Sequence, residues 1–166
     1  MSSIELIVLD VDGTLTDGKI TYSENGDEIK SFSVKDGLAI ASWIKLGKKV
    51  AIITGRSSKI VERRAKELGI EHLYQGVHNK QEVLEELLKT LGLTMESVAS
   101  AGDDLNDYKM LSASQRSFVP IDASEYVKTV ATTVLEKRGG DGAVREMIEI
   151  LIKDENLEEQ YLALWY

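Results

Sequence analysis

The chain has 166 residues, 43% of them hydrophobic, so we expect a single domain spanning residues 1–166 with one full core. Its formal net charge of −8 argues against a nonspecific nucleic-acid-binding protein, because such proteins neutralise phosphates with clustered Lys and Arg. The absence of cysteine excludes disulfides, thiol catalysis and cysteine metal sites, and it favours oxygen ligands and a hard cation such as Mg²⁺.

The first apolar run, residues 4–9, predicts a strand buried on both faces of a parallel sheet. Asp10 and Asp12 stand at its carboxyl end beside Gly13, where the backbone turns and both carboxylates can converge on one small volume. Two ionised carboxylates about 4 Å apart repel by roughly 4 kcal/mol at an effective dielectric near 20. The pair therefore indicates a bound cation, a shared proton or a wide splay, and we favour a functional site over a polar loop.

A β-hairpin is predicted next, as an insert over residues 16–35. Asn25 and Gly26 lie between the alternating segments 19–22 and 28–33, and these two residues tolerate the positive φ angles that tight hairpin turns need. The hairpin is either a lid for its own site or a surface that pairs with another copy of the chain.

A helix over residues 38–46 precedes a second buried strand over residues 50–53, which ends in Thr54, Gly55 and Arg56. A hydroxyl, exposed backbone amides and a guanidinium at the start of a helix form a natural cradle for an anion. The alternative is an ordinary helix cap by Thr54 or a following serine. On the next amphipathic helix, residues 60–68, most charged residues are typical of a solvated face, and the role of Arg64 stays open.

Two further polar features follow the predicted strands over residues 72–75 and 98–101. Lys80 opens the helix over residues 81–91, where the positive end of the helix dipole disfavours a cation unless an anion lies nearby. The second of these strands ends in a cluster of three acids, which are Asp103, Asp104 and Asp107.

The last third of the chain contains short elements and an apolar tail. We predict helices over residues 108–111, 124–130 and 143–153, strands over 117–119 and 132–135, and a glycine-rich loop over 137–142. The carboxyl-terminal tail, residues 154–166, ends in apolar residues that are frayed, packed on their own body or inserted into a neighbour. No apolar run approaches the roughly 20 residues that cross a bilayer, so we expect a soluble cytoplasmic protein that meets no membrane.

Alternating strands and helices predict an α/β fold, a three-layer sandwich with a central, mainly parallel sheet. Ligands in such folds bind at the carboxyl ends of the strands. The loops that carry Asp10, Thr54 and Asp103 all lie there, with Lys80 nearby. The sequence thus indicates a site for a phosphate and a divalent cation.

Four motifs together resemble the haloacid dehalogenase superfamily of phosphotransferases. They are D-V-D-G-T at 10–14, I-T-G-R at 53–56, Lys80, and G-D-D-L-N-D at 102–107. The missing cap domain, the hairpin, Y-Q-G at 74–76 and R-G-G-D-G-A-V-R-E at 138–146 look like the small capless phosphatases of 3-deoxy-D-manno-octulosonate 8-phosphate. Those enzymes, and relatives acting on nine-carbon keto-deoxy sugar acid phosphates, are homotetramers that serve bacterial surface-sugar (lipopolysaccharide) synthesis.

The resemblance implies a role for each motif in a haloacid dehalogenase-like Rossmannoid fold. Asp10 would be the nucleophile that forms an aspartyl-phosphate, and Asp12 would protonate the leaving alcohol and then activate water. The carboxylates of Asp10 and Asp103 and the carbonyl of Asp12 would hold Mg²⁺. Thr54, the Gly55 amide and Lys80 would bind the phosphoryl group.

The remaining assignments leave alternatives. Asp104 or Asp107 would bind the metal through water, Asp107 would hold Lys80, or either would cap a helix. Arg56 and Arg64 would meet the sugar acid, and Arg56 favours the eight-carbon acid over the nine-carbon one. The loop over residues 138–146 and the tail would close a neighbour's site in the tetramer. A non-catalytic tetramerisation module beside a sugar nucleotidyltransferase is the alternative from another class.

Overall fold

Strands and helices alternate along the chain in the computed structural model, which describes residues 1–166. The strands are β1 (Leu6–Leu9), β2 (Thr21–Tyr22), β3 (Glu28–Ile29), β4 (Lys49–Ile53), β5 (His72–Tyr74), β6 (Val98–Ala101), β7 (Arg116–Val119) and β8 (Thr133–Val134). The α-helices are α1 (Val34–Lys45), α2 (Lys59–Leu68), α3 (Lys80–Leu91), α4 (Tyr108–Ala113), α5 (Glu125–Lys128), α6 (Ala143–Asp154) and α7 (Glu158–Ala163). None of these helices is long and apolar enough to cross a membrane.

Six strands form one sheet in the order β5-β4-β1-β6-β7-β8, and every pair in it is parallel. The central strand is β1, whose Leu9 lies beside Ile52 of β4 and Ala101 of β6. The chain first adds strands on one side of β1 and then, from β6 onward, on the other. Ligands bind at the carboxyl ends of the strands where the order reverses in this way. The residues that follow β1 and β6 therefore occupy the expected place for a site.

The sheet is the middle of three layers, as predicted. Successive side chains of a strand point to opposite faces, and in β1 Ile7 and Leu9 join the apolar cluster formed with α1, α2 and α6. Leu6 and Val8 join the second cluster, which contains residues of α3 and α4. Because both faces of β1 are covered, its near-continuous apolar sequence is explained.

The predicted hairpin between β1 and α1 is confirmed, with shorter strands than the sequence indicated. The strands β2 and β3 have two residues each and pair antiparallel, Thr21 with Ile29 and Tyr22 with Glu28. The turn closes through the Gly26 amide, which donates to the Ser23 carbonyl at 2.9 Å.

The helix α1 begins at Val34, four residues earlier than the sequence prediction, and includes Gly37. Ser33 caps it by accepting a hydrogen bond from the Asp36 amide at 3.3 Å. Glycine occupies this helix position because the Cβ of any other residue at position 37 would overlap the guanidinium of Arg64. Close packing against α2, which the sequence does not reveal, therefore outweighs the low helix propensity of glycine.

The carboxyl-terminal tail packs partly on its own body. It forms α7, in which Tyr161 is buried and contributes to the same apolar cluster as α1 and α6. The ring of Trp165 lies 4.9 Å from the Lys45 ammonium, while Leu162, Trp165 and Tyr166 remain exposed. Of the three arrangements predicted for the tail, packing on its own body accounts for Tyr161 but leaves the last apolar residues uncovered.

Candidate active site

Three carboxylates converge at the point where the strand order reverses. Oxygens of Asp10, Asp103 and Asp107 all lie within 4.8 Å of one another. Asp10 directly follows β1, and its amide donates to the Ala101 carbonyl at the end of β6 at 3.0 Å, which holds the two acidic loops together. Gly13 is required here because a side chain would overlap the Asp103 carboxylate.

Lys80 is buried beneath this cluster and binds two of its members. Its Nζ lies 2.7 Å from Asp10 Oδ1 and 2.6 Å from Asp107 Oδ1. Asn79 caps α3 through the Glu82 amide and thereby sets Lys80 as the first residue of the helix. Burial favours the neutral amine, but the charges of the two carboxylates outweigh it and raise the pKa of Lys80 above its usual value. The anion that the sequence predicted near Lys80 is thus supplied by the protein itself.

Asp104 and Asp107 cap the short 3₁₀ turn Leu105–Asp107. Asp107 Oδ2 accepts hydrogen bonds from the amides of Asp103 and Asp104 at 2.9 and 3.3 Å, and Asp104 Oδ1 accepts one from Leu105 at 2.8 Å. Two of the three roles predicted for Asp107 therefore describe its contacts, because one oxygen binds Lys80 while the other caps the turn. Binding of the metal through water stays a prediction.

The donor set fits a divalent cation. Burial and the neighbouring charges of Asp10 and Asp107 raise the pKa of Asp103 well above its usual range. Burial and the charge of Asp10 also raise the pKa of Asp107, against the opposing effect of Lys80. These shifts report an excess of negative charge, with three carboxylates around one lysine. A hard cation such as Mg²⁺ prefers oxygen ligands and would remove this repulsion.

A cavity of about 260 Å³ opens above the cluster. It is lined by Asp10, Asp12, Gly18, Thr54, Gly55, Arg56, Asp103, Asp104 and Asn106. Most of the residues predicted from the sequence are therefore brought together, with Lys80 and Asp107 forming the buried floor. A somewhat larger groove, about 350 Å³, lies between α6 and α7 and contains none of these residues.

Comparisons with known proteins agree with this architecture. A family model described as haloacid dehalogenase-like hydrolase matches residues 7–78 and 72–148. The 3-deoxy-D-manno-octulosonate 8-phosphate phosphatase KdsC of Escherichia coli K12 is 43% identical over 150 residues, which are 90% of this chain and 80% of the relative. The chain belongs to the haloacid dehalogenase-like hydrolases, in the 3-deoxy-D-manno-octulosonate 8-phosphate phosphatase family.

Solved structures of this hydrolase family are close to the fold described above. The phosphatase of this type from Moraxella catarrhalis, crystallised with magnesium, phosphate and KDO, has a TM-score of 0.95 and 41% identity, covering 98% of this chain and 94% of that one. The cobalt-bound enzyme of Haemophilus influenzae has a TM-score of 0.89 and 40% identity, covering 93% and 90%. The family resemblance and the fold predicted from the sequence are confirmed.

Arg64 of this hydrolase lies away from the cavity of its own chain. Its Nη2 donates to the Ser33 carbonyl at 3.2 Å, and its guanidinium lies 5.5 Å from the Phe32 ring. These contacts place it between α2 and α1, over Gly37. Arg64 is therefore not among the residues that line the cavity, and its contact with the sugar acid stays a prediction.

Arg56 stands at the rim of the cavity and contacts the hairpin. Its Nη2 donates to the Tyr22 hydroxyl at 3.3 Å and to Glu28 Oε2 at 3.4 Å, while about half of its side chain stays exposed. These contacts draw the hairpin over its own cavity, as expected of a lid, and they leave Ile29 exposed for contact with another copy.

Lys30 is the main functional candidate that the sequence analysis missed. Its side chain is fully buried, and its Nζ pairs with Asp12 Oδ1 and lies 3.0 Å from Glu28 Oε1. Gly18 and Asn106 also line the cavity and were not singled out. The alternation of a strand offered one signal, since it places Glu28 and Lys30 on the same face of the hairpin.

The glycine-rich loop packs on the loop that follows Asp10 in its own chain. The Gly140 amide donates to the Thr14 carbonyl at 3.1 Å, and a side chain at Gly139 would overlap the carbonyl oxygen of Gly13. The Gly139 amide is held in turn by Asp122 Oδ1 at 3.1 Å. This segment, which the sequence analysis assigned to a neighbour's site, therefore supports the loop that follows Asp10 in the same chain.

Proposed function

We propose that this protein is a Mg²⁺-dependent phosphatase that hydrolyses 3-deoxy-D-manno-octulosonate 8-phosphate to the free sugar acid and phosphate. The observation that carries the proposal is the convergence of Asp10, Asp103 and Lys80 beneath a cavity that Asp12 and Thr54 line. The relatives from Escherichia coli and Moraxella catarrhalis, at 43% and 41% identity, are named for this activity.

The first step is nucleophilic substitution at phosphorus by Asp10. Lys80 holds one oxygen of this carboxylate and fixes its orientation. A carboxylate oxygen of Asp10 bonds to phosphorus, the ester P–O bond breaks, and Asp12 gives a proton to the departing alkoxide. Asp12 then takes a proton from the water that attacks phosphorus, which releases phosphate and regenerates the Asp10 carboxylate.

The metal would be held by the carboxylates of Asp10 and Asp103 and by the carbonyl of Asp12, which accepts no backbone hydrogen bond. Mg²⁺, when bound, supplies positive charge that offsets the repulsion between the carboxylate nucleophile and a dianionic phosphate. Thr54 and Gly55 also line the cavity, and the Thr54 hydroxyl and the Gly55 amide orient the phosphoryl oxygens. Arg56 at the rim binds the sugar acid and selects the eight-carbon substrate.

The proposal includes a cytoplasmic homotetramer in which the hairpin and the tail contact neighbouring subunits. It is supported by exposed apolar residues on both segments, Tyr22 and Ile29 on the hairpin and Trp165 and Tyr166 on the tail. Deleting the chain after Asn156 should lower turnover or substrate affinity. It also removes the buried Tyr161, so thermal unfolding should show a domain that still folds but is less stable. Unchanged kinetics together with an unchanged sedimentation coefficient would remove the tail from the proposal.

The deciding experiment measures Mg²⁺-dependent phosphate release from the eight-carbon and nine-carbon keto-deoxy acid phosphates in parallel. We expect faster turnover of the eight-carbon substrate, and background release from Asp10→Asn with the fold retained. Asp27→Asn, at the exposed hairpin turn, is the matched control and should keep full activity. Preference for the nine-carbon substrate would reassign the specificity. Release from neither substrate would favour the non-catalytic module, and residual hydrolysis by Asp10→Asn would contradict the covalent route.

A further inference from the structure

The hairpin carries a buried cation into contact with the proposed proton donor. Lys30 follows β3, and its side chain is fully buried although the hairpin around it, including Ile29, is largely exposed. Its Nζ is shared between two carboxylates, Asp12 and Glu28. The hydrogen bond from Lys30 is also the main cause that lowers the pKa of Glu28 below its usual value.

Apolar packing does not explain this placement. Removing an ammonium from water costs several kcal/mol unless partners replace the lost hydration, and both partners of Lys30 are carboxylates at the mouth of the active site. The hairpin already has a second attachment, since Arg56 contacts Tyr22 and Glu28. If the hairpin needed only to be anchored, it would not need a lysine in contact with the Asp12 carboxylate.

The contacts form a line of alternating charge from the site to the rim. It runs from Asp12 through Lys30 and Glu28 to Arg56. Asp12 is about a fifth exposed and lines the cavity, and among side chains only Lys30 binds its carboxylate. The direction in which Asp12 points is therefore set by a residue of the hairpin, while Asp10 is held separately by Lys80.

We propose that Lys30 is a positioning residue that orients Asp12 for proton transfer to the leaving oxygen. The inference rests on the proposed phosphatase activity. Lys30 keeps its own proton throughout, and the proton that reaches the alkoxide comes from Asp12. Glu28 and Arg56 hold Lys30 in place, so that the hairpin must be closed over the cavity for Asp12 to be aligned. General acid catalysis of this kind demands hydrogen-bond geometry and is lost with small displacements.

The test compares leaving groups that do and do not need a proton. Lys30→Met keeps the length of the side chain and removes its charge, Lys30→Arg keeps the charge, and Lys19→Met is the matched control at an exposed lysine of the same insert. The rate of alcohol release in the first turnover is measured at saturating substrate, with the sugar acid phosphate and with p-nitrophenyl phosphate. Nitrophenolate is a weak base that departs without a proton.

For Lys30→Met we expect a loss of roughly 10- to 100-fold with the sugar acid phosphate and less than about threefold with p-nitrophenyl phosphate. Lys30→Arg should recover most of the rate, and Lys19→Met should match the unmodified protein on both substrates. A crystal structure of Lys30→Met should show the Asp12 carboxylate turned from its position here. An equal loss on both substrates, or a raised KM with an unchanged first-turnover rate, would overturn the proposal.

Thermal unfolding of the metal-free variants checks that each one folds. If Lys30→Met does not fold, Glu28→Gln is tested in its place. Its first-turnover rate should fall less than that expected for Lys30→Met, but again more with the sugar acid phosphate than with p-nitrophenyl phosphate. No dependence on leaving group in that variant would then overturn the inference. The failure of the proposed function is distinguishable, because the unmodified protein would itself release no alcohol from the sugar acid phosphate.

Discussion

Replacing Asp36 by Asn should remove a loss of folding stability that sets in as the pH rises and that originates where α1 packs on α6. Asp36 lies in the first turn of α1 and is 1% exposed. Its Oδ1 accepts a hydrogen bond from the Arg145 amide at 2.8 Å, while the buried Oδ2 has no partner. Burial is the main cause that raises the pKa of Asp36 from 3.8 to about 6, against the opposing hydrogen bond from the Arg145 amide; the charge of Asp141 adds to the rise and that of Arg64 opposes it.

The direction in which stability changes with pH follows from the linkage between proton binding and folding. Because the folded state binds this proton more tightly than the unfolded state, the contribution of Asp36 to stability is fully present below about pH 4 and is lost as the pH rises through about 6. A shift of this size corresponds to about 3 kcal/mol at 1.36 kcal/mol per pKa unit. Asparagine stays neutral at every pH and keeps an oxygen for the Arg145 amide.

Urea unfolding at a series of pH values, in the presence of a chelator, measures the effect. The difference in free energy of unfolding between Asp36→Asn and the unmodified protein should shift in favour of the variant by about 2.5 kcal/mol between about pH 4 and pH 8. Other carboxyl groups titrate in both proteins and cancel in the difference. Asp27→Asn, at an exposed site, should show no such shift. A difference that is constant with pH would refute the reasoning.

Two further outcomes follow from the site. Mg²⁺ at 100 times its dissociation constant should stabilise the folded protein by about 2.7 kcal/mol, measured as a rise in the thermal midpoint, and Asp103→Asn should lose most of that rise. A thermal midpoint that does not change when Mg²⁺ is added would contradict a metal site at this cluster. Gly139→Ala should lower turnover at least about tenfold, because the new side chain displaces the loop that follows Asp10. At Gly47 a side chain would meet open space, but the backbone φ there is +84°, so Gly47→Ala should lose some stability and keep its turnover. Unchanged turnover in both variants would show that the loop contact is dispensable.

Much of the fold and of the site floor could be predicted because the signals were local. The apolar run before Asp10 identified a doubly buried strand, and the parallel arrangement then brought the ends of neighbouring strands together. Lys80 was conspicuous because a cation at a helix amino terminus needs an anion, and its contacts with Asp10 and Asp107 supply one.

The features that sequence reasoning missed depend on how one element lies against another. The position of Arg64 follows from the packing of α2 on α1, which also allows glycine within α1. Lys30 reaches Asp12 only because the hairpin folds back on the loop that follows β1. Neither arrangement has a period or a spacing that a single sequence displays. Three-dimensional packing thus decides which of several charged side chains contacts the residues of the site.

The support that Gly139 and Gly140 give to the residues after Asp10 has a consequence for how the protein is made. All four motifs have been synthesised once the chain passes Asp107, yet the loop of the first motif then still lacks the backbone against which it rests. A nascent chain or a fragment that ends there would carry every proposed catalytic side chain without a rigid nucleophile loop. The ability to hydrolyse a phosphate monoester should therefore appear late in synthesis, when the segment that leads into α6 has left the ribosome.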